Sequence, residues 1–204
     1  MTEIGLFPLG IVLLPTEQLP LHIFEDRYQE LIGECLADGT EFGLVYADDA
    51  GLREIGTRAA VTEVLDRFDD GRMNVVVEGR ERFRLLELTE GRSFHTGRIA
   101  PVDDDGRSAD ERDTARAFEL FRRLVELTGA DVEEPSGGSS QLSFELAGRF
   151  DFAPELKQRL LALTSERRRM QMLAELLEGA AAAVERDKEI AKRAETNGKV
   201  DPRG

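Results

Sequence analysis

Apolar and polar positions alternate in short bursts over the first hundred residues of this chain and recur at helical spacing thereafter. LFPLGIVLLP (6–15) and LPLHIF (19–24) come first, each bounded by proline, which disfavours a helix there. FGLVYA (42–47), TRAAVTEVLDRF (57–68), RMNVVVEG (72–79), RFRLLEL (82–88) and FHTGRIAPV (94–102) follow. Their length and their Val, Phe and Ile content predict strands. Seven short strands with close turns favour a barrel or curled sheet over a doubly wound fold. In FDDGRM, Asp70-Gly71 suits a two-residue hairpin turn, which would set Phe68 and Met73 opposite one another.

One helix interrupts the strands. Tyr28, Leu31, Ile32, Cys35 and Leu36 fall on one continuous apolar stripe, with Gly39 as its stop. Asp26 and Gln29 have the spacing of a capping box, and Arg27, ill placed for the helix dipole, is expected to find a carboxylate elsewhere in the fold.

Beyond the acidic turn DDDG (103–106) the pattern turns helical. Ser108 and Glu111 form an S-x-x-E capping box ahead of a stripe of Ala115, Phe118, Phe121, Leu124, Val125 and Thr128, which Gly129 ends. EPSGGSS (134–140) is a connector by composition. Helices are expected from Leu142 to Arg149, from Pro154 to Leu163 and from about Ser165 onward. The last carries Met170, Leu173, Leu176, Leu177, Ala180 and Val184 on one face. The organisation expected is α+β: a β-rich barrel-like unit over 1–105, a helical bundle over 106–195 and a flexible tail over 196–204.

Charge narrows the function. The net charge is −14, and residues 1–105 carry 10 Lys/Arg against 22 Asp/Glu, a balance of −12. Nucleic-acid affinity comes largely from cations neutralising phosphates, so this half is poorly suited to RNA or DNA. No apolar run approaches the ~20 residues of a membrane helix, and the N-terminus lacks the pattern of a secretory signal. Cys35 is the only cysteine, which excludes an internal disulfide and makes a reducing cytoplasm the default expectation.

Candidate chemistry is sparse. His22, Glu25, Asp26 and Arg27 crowd together, but His22 lies on an extended segment and Glu25 at a helix start, and zinc would want three or four ligands. GLREIGT puts Thr57 where a phosphate loop needs lysine, and no G-x-S-x-G elbow occurs. Ser136, in PSGG, sits in a polar connector without an adjacent histidine. No catalytic residue, metal site or cofactor is therefore expected. The remaining candidates are apolar. Phe68 and Met73 either pack inward on the curled sheet or form a sticky knob at the hairpin tip, and Phe150 and Phe152 either join the core or line a groove.

FPLGIVLLPTEQLPLHIFEDRYQELI, FGLVYA, IGTRAAVTEV and GRMNVVVEGRERFRL together resemble the N-terminal substrate-recognition domain of Lon proteases, including its stand-alone bacterial members. The resemblance covers roughly residues 5–185; SERRRMQMLAELL matches the family's last helix more weakly, with Met170 where leucine is usual. It implies a barrel of the pseudouridine-synthase-associated (PUA-like) type followed by a helical bundle. It also implies that Phe24, Glu25, Arg27, Tyr28, Gly79, Arg82 and Phe83 build the fold. The role implied is non-catalytic capture of unfolded or damaged polypeptides, alone or beside a protease or other protein partner. An RNA-binding PUA-like module is the alternative, which the acidic balance disfavours.

Overall fold

The computed structural model describes residues 2–197. Seven strands and one helix occupy the first half: β1 (Thr2–Leu9), β2 (Gln18–Ile23), α1 (Asp26–Asp38), β3 (Phe42–Asp48), β4 (Gly51–Leu52), β5 (Ile55–Arg67), β6 (Met73–Thr89) and β7 (Thr96–Pro101). Four helices follow: α2 (Glu111–Thr128), α3 (Leu142–Ala147), α4 (Pro154–Ala162) and α5 (Glu166–Asn197). The α+β order read from the pattern is the one observed.

The sheet runs β1-β7-β6-β5-β3-β4, and a parallel pairing of β1 with β3 closes it into a barrel. β2 lies outside this circuit, antiparallel to the first part of β6. Three register shifts interrupt the β5–β6 ladder, two with the extra residue on β5 and one with it on β6, and they help to curl the pair around the barrel. The predicted strands 72–79 and 82–88 are one long strand, β6, which serves β2 and β5 early and β7 later. Gly79 sits at its middle, where the chain around Leu14 crosses so closely that a Cβ would overlap the Leu14 carbonyl oxygen.

GIVLL, expected to continue the first strand, is instead a loop, buried from Val12 to Leu14. Leu13 enters the barrel core, while Val12 and Leu14 enter the helical core. Its backbone polar groups are satisfied off the sheet: the Thr57 hydroxyl donates to the Leu13 carbonyl at 2.6 Å, and the Leu14 N–H donates to the Glu17 carboxylate at 2.8 Å.

α1 plugs the barrel with Tyr28, Leu31, Ile32 and Cys35, and Gly39 ends it in the left-handed conformation at φ 65°. Its start differs from the expected capping box. Glu25 is the N-cap residue and no side chain caps the first turn; Gln29 donates to the Phe24 carbonyl instead. Arg27 pairs at 2.7 Å with Glu25, two residues away, rather than with a distant acid.

α2 begins one residue after Asp110, whose carboxylate accepts from the Arg112 N–H; Ser108 lies upstream of the helix. Its buried face is Ala117, Leu120, Phe121 and Leu124, a stripe rotated from the expected one, which leaves Ala115 exposed. The pairs Arg116–Glu178 and Arg123–Glu185 show that α2 and α5 run parallel. α5 buries Met170, Leu173, Ala174, Leu177 and Ala181, is exposed from Arg186 to Arg193, and continues as helix to Asn197. Of the expected tail, residues 196 and 197 are helical and 198–204 lie outside the described residues.

The strand-rich and helical halves are joined by buried polar contacts. Arg82, on β6, donates to the Leu161 and Leu163 carbonyls at 2.8 and 2.7 Å and to Asp104. Arg169, on α5, donates to Asp104, Glu166 and the Ser143 hydroxyl. Lys157 meets Glu17 at 2.5 Å, and Tyr46 donates to Glu155 at 3.0 Å.

Candidate functional site

The β5–β6 hairpin is a three-residue loop. The Phe68 N–H donates to the Arg72 carbonyl across it at 2.9 Å, the Gly71 N–H donates to the Phe68 carbonyl at 3.0 Å, and Gly71 takes φ 89°. The added residue shifts the pairing, so Arg67 rather than Phe68 stands opposite Met73. The two apolar residues therefore part company. Met73 is 6% exposed and packs in the barrel core, whereas Phe68 is 42% exposed.

Phe68 has company on the surface. In β2, Leu19, Leu21 and Ile23 face the core, which turns Gln18, Pro20 and His22 outward, and Phe24 continues that outward face at 61% exposure. The His22 ring stacks on Phe24 at 5.9 Å and 20° and meets Phe68 edge-on at 6.4 Å and 75°. The Arg72 guanidinium lies over the other aromatic, Phe68, at 5.3 Å. Gln29 fills the space beside Gly71, so the hairpin tip rests on the start of α1.

A polar rung holds the aromatic group in place. His22, Asn74 and Asp66 lie side by side on β2, β6 and β5. Asn74 donates its amide to Asp66 at 2.9 Å, so its oxygen accepts from His22 Nδ1 at 2.7 Å. That fixes the imidazole ring between the two phenylalanines and turns Nε2 away from the rung. Asp66 belongs to the rung, Asp69 and Asp70 lie in the adjoining hairpin loop, and Glu25 and Asp26 follow Phe24 in the chain; Glu25 pairs with Arg27 and Asp70 with Arg72. The arrangement offers an apolar surface with an acidic rim.

The other singled-out residues lie elsewhere. Phe150 and Phe152 are half-buried; Phe150 packs edge-on against Phe121 at 5.1 Å and against Phe152 at 6.1 Å, on the helical core. Tyr28 and Phe83 are buried, and Phe83 fits against Gly43 and Gly56, where a Cβ would come within 2.8 and 2.6 Å of its ring. Glu25 and Arg27 form a surface pair, and Phe24, expected among the fold-building residues, faces solvent because it follows the outward face of β2. Phe24, His22 and Arg72 were not singled out as contact residues by the sequence. The signal was present in the alternation PLHIF, which sends Pro20, His22 and Phe24 to one side.

The buried cluster around Arg169 invites comparison as a site, but its polar groups are matched. Arg169 is 0% exposed and both its guanidinium and that of Arg82 lie over the Phe144 ring, at 4.4 and 5.4 Å. Burial draws Arg82 below the ordinary arginine value. Around Arg169 the same burial is outweighed by hydrogen bonding to Asp104 and by the charges of Glu166 and Asp104. Among the described residues no group of three or more His, Cys, Asp or Glu is placed to hold a metal ion. Cys35 lines a cleft of about 320 Å³ beside Glu34, Asp38 and Arg92, and burial pushes its thiol up, away from the reactive thiolate. No helix among the described residues is long and apolar enough to cross a membrane.

The model of the ATP-dependent protease La (LON) substrate-binding domain matches residues 3–179. A Lon protease of Anaeromyxobacter dehalogenans is 28% identical over 183 residues, covering 81% of this chain and 22% of its own length. Several curated Lon proteases are matched over only 16% to 26% of their length. In fold, the chain is similar to a Lon N-terminal domain protein from Xanthomonas campestris, with TM-score 0.64 and 24% identity over 85% of this chain and 97% of that one. It is likewise similar to the N-terminal domain of a Mycobacterium avium complex Lon protease, with TM-score 0.66 and 16% identity over 87% and 98%. With nearly its whole length matched, the chain belongs to the LON substrate-binding domain family.

Proposed function

We propose that this chain is a non-catalytic recognition module that holds unfolded or damaged polypeptide segments on the Phe24–His22–Phe68 patch. The observation that carries this reading is the outward placement of two phenylalanines that a folded monomer gains nothing by exposing, set in place by the His22–Asn74–Asp66 rung. Covering a phenylalanine side chain is worth about 1.5–3 kcal/mol, so two rings supply a useful fraction of a weak, exchangeable interaction. The acidic rim favours segments that mix apolar and basic residues, with the electrostatic part screened over about 8–10 Å at physiological salt. That rim also opposes the RNA-binding alternative, since phosphates would meet carboxylates. The chain acts alone or beside a protease in this reading, and supplies no bond-breaking group of its own.

The test is capture of a chemically unfolded, fluorescently labelled model protein, measured by anisotropy. Phe24→Asp and Phe68→Asp are expected to weaken binding at least about tenfold each, while both variants keep the circular dichroism of the parent. Binding unchanged in both would sink the assignment of the patch.

A further inference from the structure

The sheet has an open edge beside that patch. β2 pairs with β6 alone, and no other strand or loop among the described residues bonds to its far side. The direction of its backbone groups follows from three contacts. Gly79 both donates to the Glu17 carbonyl, at 2.9 Å, and accepts from Thr16, at 2.8 Å, so its polar groups point toward the β2 side. The Val76 carbonyl, of opposite parity, accepts from the Thr62 hydroxyl on β5. By alternation, Val77, Val75 and Met73 bond to their partners Leu19, Leu21 and Ile23. Gln18, Pro20 and His22 therefore point their backbone groups away from the sheet. Proline at position 20 fits, since a strand tolerates it where the missing N–H would face outward.

We infer that β2 is a strand-addition site, on which an extended segment of the captured polypeptide lies as a further strand. The N–H groups of Gln18 and His22 and the carbonyls of Gln18, Pro20 and His22 are its rungs, and a side chain at the His22 end reaches Phe24 and Phe68. This inference rests on the polypeptide-binding reading above and adds how the backbone is held. An extended main chain is the occupant that satisfies alternate outward donors and acceptors at strand spacing, whatever its sequence. Such tolerance suits recognition of unfolded segments.

The rival edge is blunted. The distal part of β5 also has β6 as its one partner, but it carries extra residues at Thr62 and Leu65 and the charges Glu63, Asp66 and Arg67. β2 runs without a register shift and has no acidic or basic residue apart from His22. Pro20 withholds one donor, which suits a short guest segment and disfavours a long continuous pairing between copies.

The experiment uses the full chain and a short fluorescein-labelled peptide of leucine, valine and arginine. Two further versions carry backbone N-methyl groups on alternate amides, one on the odd positions and the other on the even. Strand addition predicts that one version binds at least about tenfold more weakly while the other stays near the parent, because only alternate amides face β2. Gln18→Pro should weaken the parent peptide several-fold where Gln18→Ala does not. Equal effects of the two methylated versions would overturn strand addition and leave side-chain capture standing. No binding of the unmethylated peptide, with a dimer in light scattering that Gln18→Pro abolishes, would give the edge to a second copy and overturn it too. Failure of the chain to bind unfolded protein at all would remove the reading beneath both.

Discussion

Arg82 and Arg169 direct their guanidinium groups at one carboxylate, that of Asp104, and lie over the same ring, that of Phe144. One arginine comes from the barrel and the other from the last helix. Two like charges tolerate this proximity because the Asp104 carboxylate lies between them, Glu166 supplies a second acid to Arg169, and the Leu161 and Leu163 carbonyls and the Ser143 hydroxyl take remaining donors. Asp104 is thus the joint between the two halves.

Asp104→Ala should cost about 3–5 kcal/mol, because it leaves two buried cations facing each other without their shared acid. Urea unfolding followed by circular dichroism measures this. Glu54→Ala, which removes the exposed partner of Arg84, is the control and should cost less than about 1 kcal/mol. Equal losses in the two variants would mean that the buried joint contributes no more than a surface pair.

Acid should loosen the same joint. Burial acts to raise the Asp104 carboxyl, but hydrogen bonds and charge from Arg169, with those from Arg82, outweigh it and hold it below the ordinary aspartate value. A group whose folded pKa is depressed contributes stability above its unfolded value, about 3.9, and loses it as pH falls through the folded value. The urea midpoint should therefore fall below about pH 4, and Asp104→Asn should flatten that part of the profile while lowering stability at neutral pH. An Asp104→Asn profile parallel to the parent over that range would refute the assignment.

Met73 and Phe68 should separate stability from binding. Met73→Ala removes a core side chain and should cost about 2–5 kcal/mol. Phe68→Ala, at an exposed tip, should change stability by about 0.5 kcal/mol or less and reduce capture of unfolded protein. A thermal melt and the anisotropy assay on both variants check the pair; a Phe68→Ala loss as large as that of Met73→Ala would show that Phe68 serves the fold.

Legibility in the sequence followed the range of the forces involved. The α1 stripe from Tyr28 to Cys35, with its Gly39 stop, was readable because a helix places those residues together by itself. The boundaries of β6 were not, since Gly79-Arg80-Glu81 looks like a break until Leu14 is seen packed against it. The α2 stripe was rotated because α5 decides which side of α2 is covered. The cluster of Arg82, Asp104, Ser143, Glu166 and Arg169 draws on four separated stretches, only Glu166 and Arg169 being neighbours on one helix, so no local pattern announced the whole. At the patch, alternation in PLHIF could have exposed His22 and Phe24, but only the three-residue loop decides that Phe68 joins them and Met73 does not.

The rung of His22, Asn74 and Asp66 has one more consequence. Its members lie on three different strands, and Phe68 and Phe24 flank His22 only while those strands are in register. A copy that has itself been damaged and melted dissolves its own contact surface. If the proposed capture holds, such a copy ceases to compete for clients at the moment it becomes one.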